Sequence, residues 1–356
     1  MKNDPLILGI DTSCDETAAA VVQGMRVLSN VISSQVELHR KYGGVVPSVA
    51  RREHELRIDP VISEALRNAS KVLKTRVDFN DLDAIAVTYG PGLAIALEIG
   101  IAKAKELALQ HDKPLIGVNH MEGHLYSPLA LNSKGKGPIE MENVEFPVLS
   151  FLLSGGHTEL VLLKSHDDKR IIGQTVDDAI GEAFDKVARM LGLGYPGGKV
   201  LSDMALKGDP EAFKLPVPMA KDPTLNMSFS GLKTAVYYQV KEIEKQRQLT
   251  AQEVVDMSAS FERAAINELQ IKLKKAIKLY NPKMIMVGGG VSSSARVRAG
   301  LRKIARDFSL PIYFPSLKNI YTDNGAMIAI AANFKFHKKE FSDQTLDRQP
   351  NLDLAI

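Results

Sequence analysis

The chain has 356 residues, of which 45% are hydrophobic and 24% are charged, and its formal net charge is +3. This composition excludes a disordered or fibrous protein, and at about 150 residues per domain the length predicts roughly two domains. The net charge is too small to indicate nucleic-acid binding by itself, although clustered basic residues leave an RNA partner open.

The beginning of the chain, MKNDPLILGID, lacks the long apolar region and the cleavage site of a signal peptide. No uninterrupted stretch approaches the ~20 apolar residues of a membrane span. Cys14 is the only cysteine, so no intramolecular disulfide can form. We therefore expect a cytoplasmic protein with no membrane partner, and a mitochondrial location stays open.

Two pairs of segments repeat one order of elements along the chain. Residues 6–22 and 146–164 each place a short polar turn between two apolar runs, which predicts a β-hairpin. Residues 82–120 and 282–315 each predict a strand, a glycine-rich turn, a helix and a second strand. A hairpin followed by a βαβ unit, found twice, predicts a duplicated α/β domain with a ligand cleft between its halves. Glycine turns at strand ends favour a nucleotide or adenylate as the ligand.

The turns of the two predicted hairpins differ in chemistry. The first turn is acidic, with Asp11, Asp15 and Glu16, and could hold a metal-bound phosphate or position a nucleophile. The second turn contains Gly155 and Gly156, whose backbone amides could approach an anion, although a plain tight turn would look similar.

Histidines at positions 120 and 124 follow the apolar strand PLIGV. A spacing of four puts both imidazoles on one helix face, where they could share a metal, while Glu122 points away from that face. Two ordinary helix histidines are the alternative, and a metal would need a third ligand. Asp323 is a candidate because it precedes a helix of small residues, although it could simply cap that helix.

Residues 177–192 predict an amphipathic helix that ends at Gly192. Glu182 and Asp185 are three residues apart on this helix, and their acidic face could accept ribose hydroxyls. Solvent exposure alone would explain both acids equally well.

Nine segments, found in one order, resemble the tRNA N6-adenosine threonylcarbamoyltransferase family, formerly called glycoprotease-like, and most closely its bacterial or organellar branch. The segments are GIDTSCDETAAAVV, KYGGVVPSVARREH, VTYGPGL, NHMEGH, SGGHTELV, DDAIGEAFDKVARMLGLGYPGG, NMSFSGLKTAV, GGGVS and YTDNGAMIA. The match covers nearly the whole chain.

The resemblance implies an α/β, actin-like fold of the sugar-kinase and heat-shock superfamily, with duplicated RNase H-like lobes and a ligand cleft between them. We assign residues 1–130 to the first lobe, 146–338 to the second lobe and 339–356 to a peripheral tail. The helices after about residue 323 are able to pack back on the first lobe.

The resemblance also implies transfer of threonylcarbamoyl from threonylcarbamoyl-AMP to N6 of the adenosine 3′ of the anticodon, in tRNAs that read codons beginning with A. It implies one divalent metal ion, iron or zinc, held by His120, His124 and Asp323. No residue is assigned as catalytic. The implied donor-binding residues are Leu152, Leu153, Ser154, Gly155, Gly156, Asp185, Gly198, Ser202 and Ser294.

Two positions depart from the family pattern. The family usually has an acid where this chain has Ser202 and an asparagine where it has Ser294, and both positions contact the nucleoside part of the ligand in the family. Glu98 is also unusual, because it lies in a helix that is otherwise apolar, and the sequence offers no reason for it.

Two other functions stay open at this point. A metallopeptidase is suggested by the histidine pair, although Glu122 has the wrong spacing to serve as its general base. A non-catalytic ATP-binding scaffold subunit is the other, although a scaffold has no need of metal ligands. The implied partners are tRNA, the adenylate substrate, and either a paralogous subunit with a small ATPase or a second copy of the chain.

Overall fold

The computed structural model describes residues 4–354. The chain divides into two compact units. The first comprises the described residues of Met1–Val144 and Tyr313–Ile356, and the second comprises Glu145–Ile312. Residues 313–338, which the sequence-based assignment counted with the second lobe, lie in the first unit, and so does the tail. That assignment allowed the helices after about residue 323 to pack on the first lobe.

The described residues form ten strands and ten α-helices. The strands are β1 (Leu6–Asp11), β2 (Glu16–Gln23), β3 (Arg26–Ser34), β4 (Ala84–Gly90), β5 (Leu115–Asn119), β6 (Val148–Leu153), β7 (Thr158–Leu163), β8 (Lys169–Gln174), β9 (Met284–Gly288) and β10 (Ile312–Tyr313). The helices are α1 (Val36–Arg40), α2 (Pro47–Leu73), α3 (Ala94–Gln110), α4 (His120–Tyr126), α5 (Ile180–Met190), α6 (Gly198–Ala205), α7 (Ser230–Glu244), α8 (Ala251–Tyr280), α9 (Ala295–Asp307) and α10 (Gly325–His337). No helix among residues 4–354 is both long enough and apolar enough to cross a bilayer.

The two five-stranded sheets have the same topology. The first has the order β3-β2-β1-β4-β5 and the second has the order β10-β9-β6-β7-β8. In each, an antiparallel hairpin (β1–β2 or β6–β7) has its first strand paired in parallel with a strand of the later βαβ unit. The predicted hairpins, βαβ units and duplication are confirmed.

Helix α10 belongs to the first unit because its surface is apolar and its residues from Gly325 to Asn333 are all buried. The helix lies against β1 and β2. Contact is close where two glycines meet, since a Cβ atom on Gly9 would lie 2.3 Å from the carbonyl oxygen of Gly325. Even an alanine at position 9 would therefore force α10 away from the sheet.

The C-terminal segment, residues 342–354, is hydrogen-bonded to the beginning of β5 and to the end of β4. The backbone amide of Ser342 donates to the carbonyl of Leu115 at 2.8 Å, and the amide of Gln349 donates to the carbonyl of Tyr89 at 2.7 Å. Leu354, near the end of the chain, is buried. This tail, which the sequence described as peripheral, is part of the packed structure of the first unit.

Candidate functional sites

Helix α4 begins directly at the end of β5. The side-chain oxygen of Asn119 caps the helix by accepting from the amide of Met121 at 2.8 Å, and its Nδ2 donates to the carbonyl of Asp353 at 2.9 Å. One amide side chain therefore joins the start of α4 to the C-terminal segment. His120 and His124 lie one turn apart on this helix, and both are buried.

Asp323 lies immediately before α10 but does not cap it. The cap is Asn324, whose side-chain oxygen accepts from the amide of Met327 at 3.0 Å. The carboxylate of Asp323 instead lies 3.3 Å from Nε2 of His120 and 3.1 Å from Nε2 of His124. The capping alternative is excluded, and the fold brings together the three residues predicted to share a metal.

These three side chains fit a divalent cation. One ligand atom from each of His120, His124 and Asp323 lies within 4.8 Å of the other two. Bonds of about 2.0–2.1 Å in a tetrahedral arrangement would hold ligand atoms roughly 3.3 Å apart, close to the distances of the two imidazole nitrogens from the Asp323 oxygen. Two imidazoles and a carboxylate suit iron or zinc, and three protein ligands leave a further coordination position open.

Asp11 lies beside Nδ1 of His120, the ring nitrogen that does not face Asp323. It is fully buried at the end of β1, and its Oδ2 lies 3.5 Å from Nδ1 of His120. Its other oxygen accepts from the amide of Ser13 at 3.1 Å, which fixes the carboxylate. A carboxylate on the far nitrogen of a ligating imidazole sets its tautomer and orientation.

Opposite charges dominate the electrostatics of this cluster. Burial opposes the charged form of His120, yet Asp323 and Asp11 outweigh it and raise the pKa of the imidazole. Burial alone would raise the pKa of Asp323, but the neighbouring histidines hold it well below its ordinary value. Burial and the nearby acids raise the pKa of Cys14, so its thiol is not a nucleophile.

The glycine turn of the second unit, Ser154–His157, follows β6, whose last residues are Leu152 and Leu153. Ser154 closes the turn by donating its amide to the carbonyl of His157 at 2.9 Å and accepting from the amide of His157 at 3.0 Å. Gly155 and Gly156 are exposed, and a Cβ atom on either would meet nothing within 4 Å. The turn therefore presents open backbone to any bound group.

Two other glycines hold this turn in place by close approach. A Cβ atom on Gly181, at the start of α5, would lie 2.6 Å from the carbonyl oxygen of Ser154. Gly289, which follows β9 with a φ of 88°, would place a Cβ atom 2.5 Å from the carbonyl oxygen of Leu153. The end of β6 is thus enclosed by backbone from α5 and from the β9 turn.

Asp185 and Gly198 are in direct contact. One carboxylate oxygen of Asp185 accepts from the amides of Gly197 and Gly198, at 2.9 Å and 2.7 Å, and so fixes the beginning of α6. Glu182, which the sequence paired with Asp185 as one acidic face, forms an ion pair with Lys186 at 2.6 Å instead.

Ser202 and Ser294 converge on one buried carboxylate that the sequence did not single out. The hydroxyl of Ser202 on α6 donates to Oε1 of Glu262 at 2.8 Å, and the hydroxyl of Ser294 donates to the same oxygen at 3.0 Å. Glu262 lies on α8 and is fully buried. The only sequence signal for it was an acid within the apolar pattern of a long helix.

Comparison with known proteins identifies the family. A sequence profile described as tRNA N6-adenosine threonylcarbamoyltransferase matches residues 26–330. The chain belongs to this family. The enzyme of that name from Moorella thermoacetica is 44% identical over 351 residues, covering 98% of this chain and 97% of its own. The Bacillus subtilis enzyme of that name is 42% identical over 356 residues, covering 99% and 97%.

Solved structures with the same fold are far more distant in sequence. Full-length HypF, in a phosphate- and nucleotide-bound form, is similar with a TM-score of 0.61, 14% identity, and coverage of 96% of this chain and 48% of that chain. Component A of (R)-2-hydroxyglutaryl-CoA dehydratase from Acidaminococcus fermentans has a TM-score of 0.53, 14% identity and coverage of 94% and 99%. The actin-like fold expected for a threonylcarbamoyltransferase is confirmed.

Membership of the threonylcarbamoyltransferase family does not favour the two alternative functions. Glu122, the acid between the histidines, lies 3.7 Å from Nζ of Lys335 and is not part of the metal-ligand cluster. The curated relatives compared above carry the name of an enzyme, not of a scaffold.

Proposed function

We propose that this protein forms N6-threonylcarbamoyladenosine in tRNA, by transfer from threonylcarbamoyl-AMP to the adenosine 3′ of the anticodon. The observation that carries the proposal is the joint presence, in a chain of this family, of the His120, His124 and Asp323 cluster and the open glycine turn. The tRNAs concerned are those that read codons beginning with A.

The metal ligands in this proposal are His120, His124 and Asp323, and the ion is iron or zinc. Support comes from the burial of both imidazoles and from their Nε2 atoms, which converge on one carboxylate oxygen. An ion held by these residues would supply neutralisation of negative charge on phosphate or carbamoyl oxygens. Asp11 orients His120.

The donor-binding residues lie in the second unit. Residues Leu152–Gly156 end β6 in a turn with open backbone, whose amides would hold an anionic group. Asp185, Gly198, Ser202 and Ser294 would contact the nucleoside. Support comes from their convergence, since Asp185 contacts Gly198, and both serines contact Glu262.

The chemistry is acyl transfer to an amine. The N6 nitrogen of adenosine attacks the carbamoyl carbon, a carbon–nitrogen bond forms, and the bond between that carbon and the phosphate oxygen breaks. The amine loses a proton and AMP leaves. Holding the donor by its phosphate and nucleoside would accelerate this step through orientation and charge stabilisation.

Reconstitution tests the proposal. Purified protein, unmodified tRNA and threonylcarbamoyl-AMP are incubated with and without the candidate partners, a paralogous subunit and a small ATPase, and nucleosides are quantified by mass spectrometry. We expect modified adenosine from wild type and none from His120→Ala. His337→Ala, which changes an exposed histidine on α10, is the matched control. Equal product from His120→Ala would contradict the metal role.

Metal content and oligomeric state complete the test. We expect about one iron or zinc ion per chain by elemental analysis of wild type, and much less in His120→Ala. Light scattering distinguishes a homodimer from a monomer that requires other subunits. Cell fractionation tests our assignment of the enzyme to the cytoplasm.

A further inference from the structure

Glu262 is a buried acid with two hydroxyl donors on one oxygen. Its side chain has no solvent exposure, and the hydroxyls of Ser202 and Ser294 both donate to Oε1. Its other oxygen lies 3.8 Å from Nε of Arg296. The carboxylate is therefore out of water and contacts side chains from α6, α9 and the turn before α9. Burying an acid is costly, so these contacts distinguish Glu262 from a solvated surface acid.

The two serines are placed where each can also contact a ligand. Ser202 lies one helical turn after Gly198, and Ser294 caps α9 by accepting from the amide of Val297 at 3.4 Å. Both residues are partly exposed. They therefore join the buried carboxylate to the surface of the second unit.

The protons of these hydroxyls decide what they can bind. A hydroxyl has one proton and two lone pairs, and here each proton is directed to Glu262. The hydroxyl oxygen of Ser202 has two lone pairs available for a ligand. That of Ser294 has one, because the amide of Val297 donates to the other. The pair can therefore accept from a ligand but not donate to it.

In its carboxylate form Glu262 can only accept hydrogen bonds, and this form directs both hydroxyl protons to it. Burial raises the pKa of Glu262, whereas the two serine hydroxyls and the charge of Arg296 oppose the rise. Since the two acceptors lie on one carboxylate oxygen, they are close to each other. Two adjacent acceptors match two adjacent hydroxyl donors, which are the 2′ and 3′ hydroxyls of a ribose.

We propose that Glu262 is a positioning residue that makes Ser202 and Ser294 a paired acceptor for the ribose diol of the adenylate donor. The acid that the family has at position 202 is thus replaced by a carboxylate from α8 that acts through two serines. This inference rests on the proposed function, because it assumes that the second unit binds the donor nucleoside.

The test compares nucleotides that differ only in the diol. Binding of AMP, 2′-deoxy-AMP and 2′,3′-dideoxy-AMP is measured by calorimetry. For wild type we expect about a tenfold loss of affinity for each hydroxyl removed. In Glu262→Gln we expect AMP and dideoxy-AMP to bind within about threefold of each other. In this variant the side-chain oxygen would face Arg296, so the side-chain NH2 group would face the two serines and donate to them. The serine hydroxyl protons would then point toward the ligand.

Glu268→Gln is the matched control, since Glu268 is an equally buried acid on the same helix that contacts the amide of Ser228 at 2.9 Å. It should keep the wild-type preference for AMP. A general loosening of the fold would weaken the binding of all three nucleotides alike. The ratio of the affinities for AMP and dideoxy-AMP therefore reports on positioning. Ser202→Ala and Ser294→Ala give the same readout if Glu262→Gln fails to fold, and each should abolish the preference for one hydroxyl.

Non-additivity supplies a second criterion. If Glu262 acts through the serines, Ser202→Ala should change the diol preference strongly in wild type and little in Glu262→Gln. A wild-type diol preference in Glu262→Gln overturns the inference and leaves the proposed function intact. If wild type binds none of the three nucleotides, the donor site itself is refuted, and the inference falls with it.

Discussion

The turns after β1 and β6 occupy equivalent places in two sheets of the same topology, yet their chemistry is opposite. The first turn begins with the buried carboxylate of Asp11, which faces His120 at 3.5 Å. The second contains the exposed glycines Gly155 and Gly156. Carboxylates and imidazoles attract a cation, whereas open backbone amides suit an anion. The same framework therefore occurs twice, and the residues at the two equivalent turns suit ligands of opposite charge.

The two units also surround their turns differently. In the first, α4 and the residue before α10 bring the side chains of the proposed metal site together. In the second, Gly181 and Gly289 bring only backbone against the end of β6. Side chains with fixed rotamers suit metal coordination, and backbone at close approach leaves room for a larger organic ligand.

The largest effect is expected from Asp323→Ala in the first unit. Losing the only carboxylate of the cluster should reduce metal content to a small fraction of wild type and lower product formation by at least about 100-fold. Elemental analysis and mass spectrometry of nucleosides measure the two effects. Asp343→Ala, which changes an exposed aspartate of the same unit, is the control. Normal metal content in Asp323→Ala would refute the metal site proposed at His120, His124 and Asp323.

A smaller effect is expected from Asp11→Asn, which keeps the shape of the side chain. Metal affinity should fall by about 10- to 100-fold, because the amide cannot orient the imidazole of His120 as a carboxylate does. Competition with a chelator measures the affinity. Asp15→Asn in the same turn should have little effect, since it is the carboxylate of Asp11 that faces Nδ1 of His120. Equal losses in both variants would mean that the turn acts through its net charge.

In the second unit, Gly156→Ala should raise the KM for the donor about tenfold while leaving stability unchanged. The new methyl group meets no protein atom within 4 Å, so it affects only an incoming ligand. Gly231→Ala, at another exposed glycine with open space, should leave the KM unchanged. An unaltered KM in Gly156→Ala would remove the glycine turn from the donor site.

Much of this arrangement could be predicted from the sequence because its signals are local. The alternating apolar runs predicted both hairpins, and the spacing of His120 and His124 predicted their shared helix face. Local patterns could not predict contacts between distant segments, and the approach of Asp323 to the histidines was expected from the family resemblance. The pairing of Asp11 with His120, the convergence on Glu262 and the path of the C-terminal segment all depend on how elements pack.

Glu98 illustrates the same limit. No pattern in the sequence explains an acid at this position of α3. In the structure its carboxylate lies 3.9 Å from Arg51 on α2 and 3.7 Å from Arg348 in the C-terminal segment. Its two partners come from opposite parts of the chain, and no local pattern relates them. Since all three side chains are substantially exposed, we expect a contribution of about 1 kcal/mol or less to stability.

The last prediction concerns protein stability rather than a ligand, and it tests Glu268, the other buried acid of α8. Burial raises the pKa of Glu268 to about 8, partly opposed by the amide of Ser228 and the charge of Lys272. The folded state therefore holds this proton more tightly than the unfolded chain, whose glutamates titrate near pH 4.3. Stability from Glu268 is fully present below that pH and is lost as the pH rises toward about 8, at up to about 1.4 kcal/mol per unit.

Glu268→Gln removes this titration, because the amide resembles the protonated acid and can still accept from the amide of Ser228. Urea denaturation from pH 5 to pH 9 should show wild type losing stability relative to the variant up to about pH 8, with no further divergence above it. Parallel profiles would show that Glu268 is ionised in the folded protein. In that case Glu268 would be a buried carboxylate, as Glu262 is in its proposed role, and the contrast between the two acids would rest on their partners alone.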